Sequence, residues 1–385
     1  MRLAIVRQKY NPYGGAERFI ERAVNALRAQ DDVEVTLLAR EWSEAPGYQY
    51  WRINPPYRGS LTRDRGFASA VRRALATTRD RFDLVQSHER IPGIAIYRAG
   101  DGVHATWLEQ RARAQSRWER LRVWINPYHA YVLKQERLMF THRELRAVIC
   151  NSAMVRDDIA ARFGTAPDKL HVIYNGVDLD LYHPRQAEGR AQMRAALGIA
   201  QEAPLFLYVG SGFERKGVAR LIEALAGTSA PACAVIVGAD KGSARYQALA
   251  KRLGVADRVH FLGARKDLPE LYGAADVFVL PTLYDPMPNA ALEALACGLP
   301  VITTKQCGAR EFIREGENGY VVDVLDAVGL AQVMGVLAAP GRAAGMRVAA
   351  RASVAHLSLD AMAGELLALY RKLAQTTPVV KFPLK

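Results

Sequence analysis

The sequence predicts an α/β protein built from two doubly wound, parallel-sheet domains that face one another across a cleft. Three observations carry that expectation. Short apolar runs alternate with longer amphipathic stretches along almost the whole of the 385 residues, which is the rhythm of βαβ units with helices on both faces of a sheet. The length suits two domains of ordinary size. The rhythm also pauses once, near the middle, whereas a closed barrel would show eight evenly spaced units without a break.

The elements follow in order. Leu3–Val6 reads as the first buried strand, followed by a Gly-Gly turn and a helix from Ala16 to Arg28. Val33–Leu38, Asp83–Ser87, Ile94–Tyr97, Ala147–Asn151 and Leu170–Ile173 continue the first series. The pause is the polar stretch from Asn175 to Leu197, containing Asp178, Asp180, His183 and Pro184. It reads as a linker and divides the chain into residues 1–180, expected to bind the acceptor, and 181–358, expected to bind the sugar-nucleotide donor. Leu205–Val209, Ala232–Val237, Val259–Leu262, Val277–Leu280, Val301–Thr303 and Tyr320–Val322 form the second series. A last helical stretch, Leu359 to Gln375 and extending to about 377, could pack back on the first domain. Open α/β sheets bind ligands at the carboxyl ends of their strands. The loops of interest are therefore 8–15, 98–104, 210–216, 238–242 and 282–289.

Half of the residues are hydrophobic and 24% are charged, which excludes a disordered or fibrous chain. The net charge of +13 favours a polyanionic neighbour without saying which. That charge is spread along the chain: residues 1–180 hold 29 Lys+Arg against 21 Asp+Glu, and residues 181–385 hold 23 against 18. With no nucleic-acid-binding motif either, a nucleic-acid partner is not expected. The four cysteines, Cys150, Cys233, Cys297 and Cys307, lie far apart with no CxxC pair, so they read as buried thiols rather than a zinc site or disulfide framework. The first apolar run is too short for a signal peptide and no run is long enough to span a bilayer, so the expected location is the cytoplasm.

Three segments carry the chemistry. In the run Asp285 to Pro300, a strand gives way to a Pro-containing loop and then to a helix starting near Asn289, a good N-cap type. The free N–H groups of such a start suit an anion. Glu293 lies about one turn in, placed to reach a hydroxyl pair on the same ligand, and Asp285 can reach its other end. Gly210 to Gly217 forms a glycine-containing turn carrying Arg215 and Lys216, whose cations can bridge a diphosphate in place of a metal. Gly14 and Gly15 follow the first strand and allow close backbone approach to a ligand. Each segment alone also fits a bland reading: a solvated helix, a charged surface turn, a tight turn.

In sequence order, Gly14-Gly15-x-Glu17-Arg18, Asn175-Gly176-Val177-Asp178, Arg215-Lys216-Gly217 and Asp285 with Glu293 resemble the family 4 retaining glycosyltransferases of the two-domain GT-B fold. The opening Lys9-Tyr10-x-Pro12-x-Gly14-Gly15 and the run Val209 to Gly217 look, within that family, like the UDP-glucose:(heptosyl)lipopolysaccharide glucosyltransferases. The resemblance implies that Glu293 binds the ribose hydroxyls and Asp285 the donor-sugar hydroxyls. Arg215 and Lys216 would hold the diphosphate, while Asn289, Ala290 and Ala291 present amides to phosphate or sugar. Gly14 and Gly15 would line the cleft from the other domain. It also implies that Asp101 or His104, in the loop after Ile94–Tyr97, contacts the reacting sugars; a loop-capping Asp and a satisfied His are the alternative. His88 is similarly placed with less support. The implied catalytic set is Asp101, His104, Lys216 and Asp285, with no enzyme nucleophile, no metal and no cofactor, and a UDP-sugar as donor substrate.

The implied reaction moves a hexose, glucose from UDP-glucose, onto a heptose of the lipopolysaccharide core. The family usually carries Glu where Asp285 stands, which leaves UDP-N-acetylhexosamine and GDP-mannose open as donors. An epimerase of UDP-sugars on the same architecture is a further alternative. A basic aromatic stretch, 106–134, holds Trp107, Arg111, Arg113, Arg117, Trp118, Arg120 and Trp124. Trp and Arg on one helix suit an anionic membrane interface, although a solvated basic face over buried tryptophans fits as well. The expected partners are thus a sugar nucleotide, a lipid-linked oligosaccharide acceptor and the cytoplasmic face of the inner membrane, where the protein would sit peripherally.

Overall fold

A computed structural model describes residues 1–8, 33–42, 49–78, 81–228 and 231–375. The chain forms two compact units, Met1–Gly176 together with the segment from Leu359 onward, and Val177–Ser358. The helix expected over Ala16 to Arg28 and the glycines at 14 and 15 lie outside the described residues.

The first unit carries a sheet of seven strands: β1 (Arg2–Val6), β2 (Glu34–Ala39), β3 (Gln49–Arg52), β4 (Leu84–Ser87), β5 (Ile96–Arg98), β6 (Ala147–Cys150) and β7 (Leu170–Val172). Their spatial order is β3-β2-β1-β4-β5-β6-β7, and each described pairing is parallel. Side chains alternate across a strand, and both faces of this sheet are covered. Leu3 and Ile5 of β1 join Leu37, Leu84, Ile96 and Ile149 on one face, where Met362, Leu366, Tyr370 and Leu373 of the Leu359–Gln375 helix pack on them. Ala4 and Val6 point the other way, into Phe67, Val71 and Leu75 of the Ser60–Thr77 helix. The Leu359–Gln375 helix is also tied polar-wise: the Tyr370 hydroxyl donates to Gln86 Oε1 at 2.6 Å, and Arg146 donates to the Leu373 carbonyl at 2.7 Å.

The second unit holds β8 (Leu205–Val209), β9 (Cys233–Val237), β10 (Val259–Gly263), β11 (Val277–Val279), β12 (Val301–Thr304) and β13 (Gly319–Val322). They lie in the order β10-β9-β8-β11-β12-β13, again parallel throughout the described pairings. In each sheet the winding reverses once, beside β1 and β4 in the first and beside β8 and β11 in the second.

The boundary between the units, Gly176/Val177, falls inside the stretch 175–197, and most of the stretch is structured. It contains a 3₁₀ turn, Pro184–Gly189, and a helix, Arg190–Ala196, both within the second unit. Its polarity misleads because its cations are used internally. Arg190 and Arg194 each pair with Asp276 at 2.7 Å. Arg194 is fully buried and also donates to the carbonyls of Ala274, Ala200, Gln201 and Ala203. A guanidinium pays for burial when its donors are all met in this way.

Candidate active site

The loops after β8 and β11 meet at the reversal point of the second sheet, the place where open α/β sheets present a ligand crevice. Three glycines let the first loop turn sharply. Gly212 (φ +77°) and Gly217 (φ +78°) both lie in the left-handed region, and a Cβ on Gly217 would stand 1.9 Å from the Pro281 carbonyl oxygen. A Cβ on Gly210 would stand 2.8 Å from Cδ of Lys216, so the lysine stem folds back over bare backbone. Between them the short Phe213–Lys216 turn is pinned at both ends. Asp240, after β9, accepts the Phe213 N–H at 2.9 Å and the Gly242 N–H at 2.7 Å through its two oxygens. The Arg215 carbonyl accepts from Leu283 N at 2.8 Å and Thr282 Oγ1 at 3.0 Å in the loop after β11.

This pinning brings two cations onto one carboxylate. Lys216 Nζ lies 3.2 Å and Arg215 Nη1 3.5 Å from Asp285 Oδ2. The Asp285 side chain is only 8% exposed, while Arg215 remains 36% exposed. Oδ2 makes no hydrogen bond of good geometry, so its partnership with the cations is chiefly Coulombic. The backbone of Asp285 is fixed by Gln306 and Gly308, as donor to the first carbonyl at 3.1 Å and acceptor from the second amide at 2.9 Å. Two cations against one anion leave a net positive site, open on the arginine side, which is suited to a further anion.

The helix of this segment runs Asn289–Ala296, with Pro288 in the capping position. Asn289 is therefore the first helical residue rather than the N-cap, and no side chain caps this end. The Ala291 N–H donates to the Pro288 carbonyl at 3.1 Å. Glu293 stands one turn in, fully buried, with its Oε2 accepting from the Tyr272 hydroxyl at 3.2 Å. The same hydroxyl lies 3.1 Å from the Ala290 carbonyl, so its single proton is shared between the two acceptors and the ring is held under the helix start. Cys307, bridged to Asp285 through backbone, has its thiol pushed up to about 12 by burial and by the Asp285 charge, so it is an inert neutral group.

In the first unit, Asp101 and His104 diverge. Asp101 is exposed and reaches Arg7 at 3.5 Å, and Arg7 also meets Glu89 at 3.5 Å. His104 starts the His104–Arg113 helix, and its Nε2 sits 3.0 Å from His129 Nδ1. Burial first, then the nearby Arg90 and His129, press the His104 ring down to about 3, so it is neutral at pH 7. His88 is buried against Gln86 at 3.0 Å and is held well below the usual histidine range by burial and by Arg98. Among the described residues no group of three or more His, Cys, Asp or Glu is arranged to hold a metal.

The family model described as glycosyl transferases group 1 matches residues 189–335, which span this site, and that described as Glycosyltransferase Family 4 matches residues 13–181. The lipopolysaccharide glucosyltransferase WaaG of Escherichia coli (strain K12) is 29% identical over 329 residues, 84% of this chain and 85% of that protein. The chain carries both of these glycosyltransferase domains and is a glycosyltransferase. The crystal structure of WaaG superposes on this glycosyltransferase with a TM-score of 0.82 at 25% identity, covering 96% of this chain and 99% of that one, so the fold is GT-B. A D-inositol 3-phosphate glycosyltransferase of Xylanimonas cellulosilytica is 32% identical over 242 residues, 60% of this chain and 58% of that protein.

Several residues of the glycosyltransferase escaped sequence reasoning. Glu136, buried in the Pro127–Phe140 helix, accepts the His104 N–H at 2.8 Å and pairs with Arg90 at 3.0 Å. Arg90 in turn donates to the Gly102 carbonyl at 3.0 Å, so this pair fixes the Gly100–His104 loop. Asp240, Tyr272 and Glu136 carry no local sequence signal, because each acts on a partner more than 20 positions away. The basic aromatic stretch divides in two. Trp107 is half-buried beneath Arg111, whose guanidinium carbon lies 5.9 Å from the ring centre. Trp118 (77% exposed) and Trp124 (82%) stand out from the Arg117–Trp124 helix with Leu121 and Ile125. Among the described residues no helix is long and apolar enough to cross a membrane.

Proposed function

We propose that this glycosyltransferase moves glucose from UDP-glucose onto a heptose of the lipopolysaccharide core, with retention and without a metal. The observation that carries the reading is the Arg215–Lys216 pair on Asp285 at the sheet's reversal point. The relationship to a lipopolysaccharide glucosyltransferase over 84% of the chain supports the donor and acceptor. In this reading the two cations take the leaving diphosphate and Asp285 turns to the sugar hydroxyls. Glu293, held by Tyr272, takes the ribose hydroxyls, and the amides of Asn289 and Ala290 lie at the phosphate or sugar. The acceptor attacks from the face the diphosphate leaves, and a diphosphate oxygen takes its proton, so positioning and charge stabilisation carry the rate. Asp101, exposed beside Arg7, is the better placed of the first unit's two candidates to meet a sugar; His104, neutral and paired with His129, would act as a hydrogen-bonding group only.

The protruding Trp118 and Trp124, with Arg117, Arg120 and Arg122 on one eight-residue helix, support docking on an anionic membrane surface. Such a location suits a lipid-linked acceptor at the cytoplasmic face. Co-sedimentation with phosphatidylglycerol vesicles should fall at least tenfold in Trp118→Ala/Trp124→Ala; unchanged binding sinks the docking surface alone.

The test of the reaction is a donor panel of UDP-glucose, UDP-N-acetylglucosamine and GDP-mannose, with deacylated core oligosaccharide as acceptor. Nuclear magnetic resonance of the product would give the anomeric configuration. Transfer from UDP-glucose into an α linkage is expected. Preference for another donor moves the assignment to a different glycan, and the D-inositol 3-phosphate relative keeps a phosphorylated acceptor in view. Epimer formed from donor alone would overturn transfer.

A further inference from the structure

A tyrosine hydroxyl lies buried without a partner beside the Arg215–Lys216–Asp285 group. Tyr208 sits near the end of β8, just before Gly210, and is fully buried. Its ring packs edge-on against Phe213 of the Phe213–Lys216 turn, with centroids 5.9 Å apart and planes at 85°. Phe213 in turn meets Tyr246 of the Ser243–Arg252 helix at 5.5 Å and 74°. A phenylalanine at 208 would make the same aromatic contacts. The hydroxyl has no hydrogen-bond partner among the described residues, and a buried, unmet donor costs free energy that an apolar ring would not. Packing of the empty fold therefore gives no reason for a tyrosine here.

A filled site supplies one. Burial first holds the Tyr208 hydroxyl well above the usual tyrosine range, so it keeps its proton through neutral pH; the charges of Arg215 and then Asp285 also reach it. In the empty site Asp285 Oδ2 rests on Lys216 Nζ at 3.2 Å and Arg215 Nη1 at 3.5 Å. A diphosphate that draws both cations leaves a carboxylate only 8% exposed without its counter-charges. The other donors around it are committed. The Asp285 N–H donates to the Gln306 carbonyl, the Gly308 N–H to the Asp285 carbonyl, and Arg215 Nη1 to the Tyr284 carbonyl at 2.9 Å. The Cys307 thiol is a weak donor and is hydrogen-bonded with Thr303. Among these neighbours the Tyr208 hydroxyl is the donor left uncommitted.

We propose that Tyr208 is a positioning residue whose hydroxyl donates to the Asp285 carboxylate once a diphosphate has taken Arg215 and Lys216, keeping that carboxylate ionised and aimed at the donor sugar. This role rests on the reading that those two cations take the donor's diphosphate. Asp285 is then held by cations when the site is empty and by Tyr208 when it is filled. A double-mutant cycle tests the link. Wild type, Tyr208→Phe, Asp285→Asn and the double variant are titrated calorimetrically with UDP-glucose and with GDP-mannose, the donor that wild type binds is carried through the cycle, and each protein is melted without ligand. We expect Tyr208→Phe to bind the donor about tenfold more weakly, the scale of one hydrogen bond to a charged group, while melting at or above the wild-type temperature. In the Asp285→Asn background the same substitution should change affinity by less than about threefold, because a neutral amide draws the hydroxyl less than a carboxylate does. Donor affinity of Tyr208→Phe within twofold of wild type, or an equal loss in both backgrounds, overturns the role. So does a lowered melting temperature without ligand, which would mean that the hydroxyl serves the empty fold. A wild type that binds neither sugar nucleotide refutes the donor reading itself, and the role of Tyr208 with it.

Discussion

Truncating Lys216 to alanine separates binding from turnover more cleanly than any other single change in this site. At 3.2 Å from Asp285 Oδ2, the ammonium contributes a gross attraction of about 5 kcal/mol at an effective dielectric near 20. Most of that is offset by desolvation, and Arg215 remains at 3.5 Å, although its 36% exposure screens it. The folding cost should therefore be about 1–2 kcal/mol, below the ~3–5 kcal/mol of a wholly orphaned buried charge. The catalytic cost is larger. A fixed charge facing a leaving oxyanion is typically worth about 10²–10³ in kcat, or roughly 2.7–4 kcal/mol. Donor binding is shared with Arg215 and Glu293, so the Kd for UDP should rise by less than about tenfold, the equivalent of ~1.4 kcal/mol. Steady-state transfer kinetics together with calorimetric titration of UDP read both quantities. Lys216→Arg, which keeps a cation on the turn, should recover part of the lost turnover. A Lys216→Ala enzyme with kcat within threefold of wild type, or one whose entire loss appears in Kd, refutes the charge-stabilisation argument.

Three other perturbations test the account away from that pair. Asp240→Asn weakens the hold on the Phe213–Lys216 turn without touching Asp285, so kcat should drop about tenfold with little change in melting temperature, and Asp240→Glu should rescue part of it if the effect is positional. Tyr208 is fully buried on β8 and its hydroxyl has no hydrogen-bond partner among the described residues; Tyr208→Phe should stabilise the fold by up to about 1 kcal/mol, and a lowered midpoint in urea would mean that the hydroxyl has work to do. His104 is pressed to about 3 in the folded chain, below its unfolded value near ~6.5. The unfolded state therefore binds the extra proton first, and stability falls as pH drops from about 6.5 toward 3. Melting curves across that range should decline less steeply for His104→Asn, and equal slopes would place the acid sensitivity elsewhere, for instance at His88.

The sheets were readable because buried parallel strands are continuous apolar runs, and twelve of the thirteen strands among the described residues coincide with such a run, ends differing by one or two residues. β3 was missed. Gln49-Tyr50-Trp51-Arg52 sits at a sheet edge with polar ends and only partly buried aromatics, so it offers no such run. The Arg190–Ala196 helix was hidden for a related reason: Arg194 looks like a solvated cation, and only the carbonyls that fold around it make it a core residue. The site was half legible. Gly217 and Lys216 announce a tight, charged turn, and Asp285 and Glu293 announce a loop and helix start. That Lys216 lands on Asp285 is a fact of the reversal between β8 and β11, which no local pattern encodes. The Asn289 cap failed because Pro288, with no N–H of its own, fits the last non-helical position.

The central claim is that Arg215, Lys216, Asp285 and Glu293 form a sugar-nucleotide site. It is tested most directly by calorimetric titration of UDP-glucose into wild type and into Glu293→Gln, with a thermal melt at saturating ligand. The account predicts a single site on wild type, a stabilisation of about 2.7 kcal/mol at a hundredfold excess over Kd, and at least tenfold weaker binding in the variant. A chain that takes up neither UDP-glucose nor any other sugar nucleotide, or one whose Glu293→Gln form binds as tightly as wild type, would contradict it.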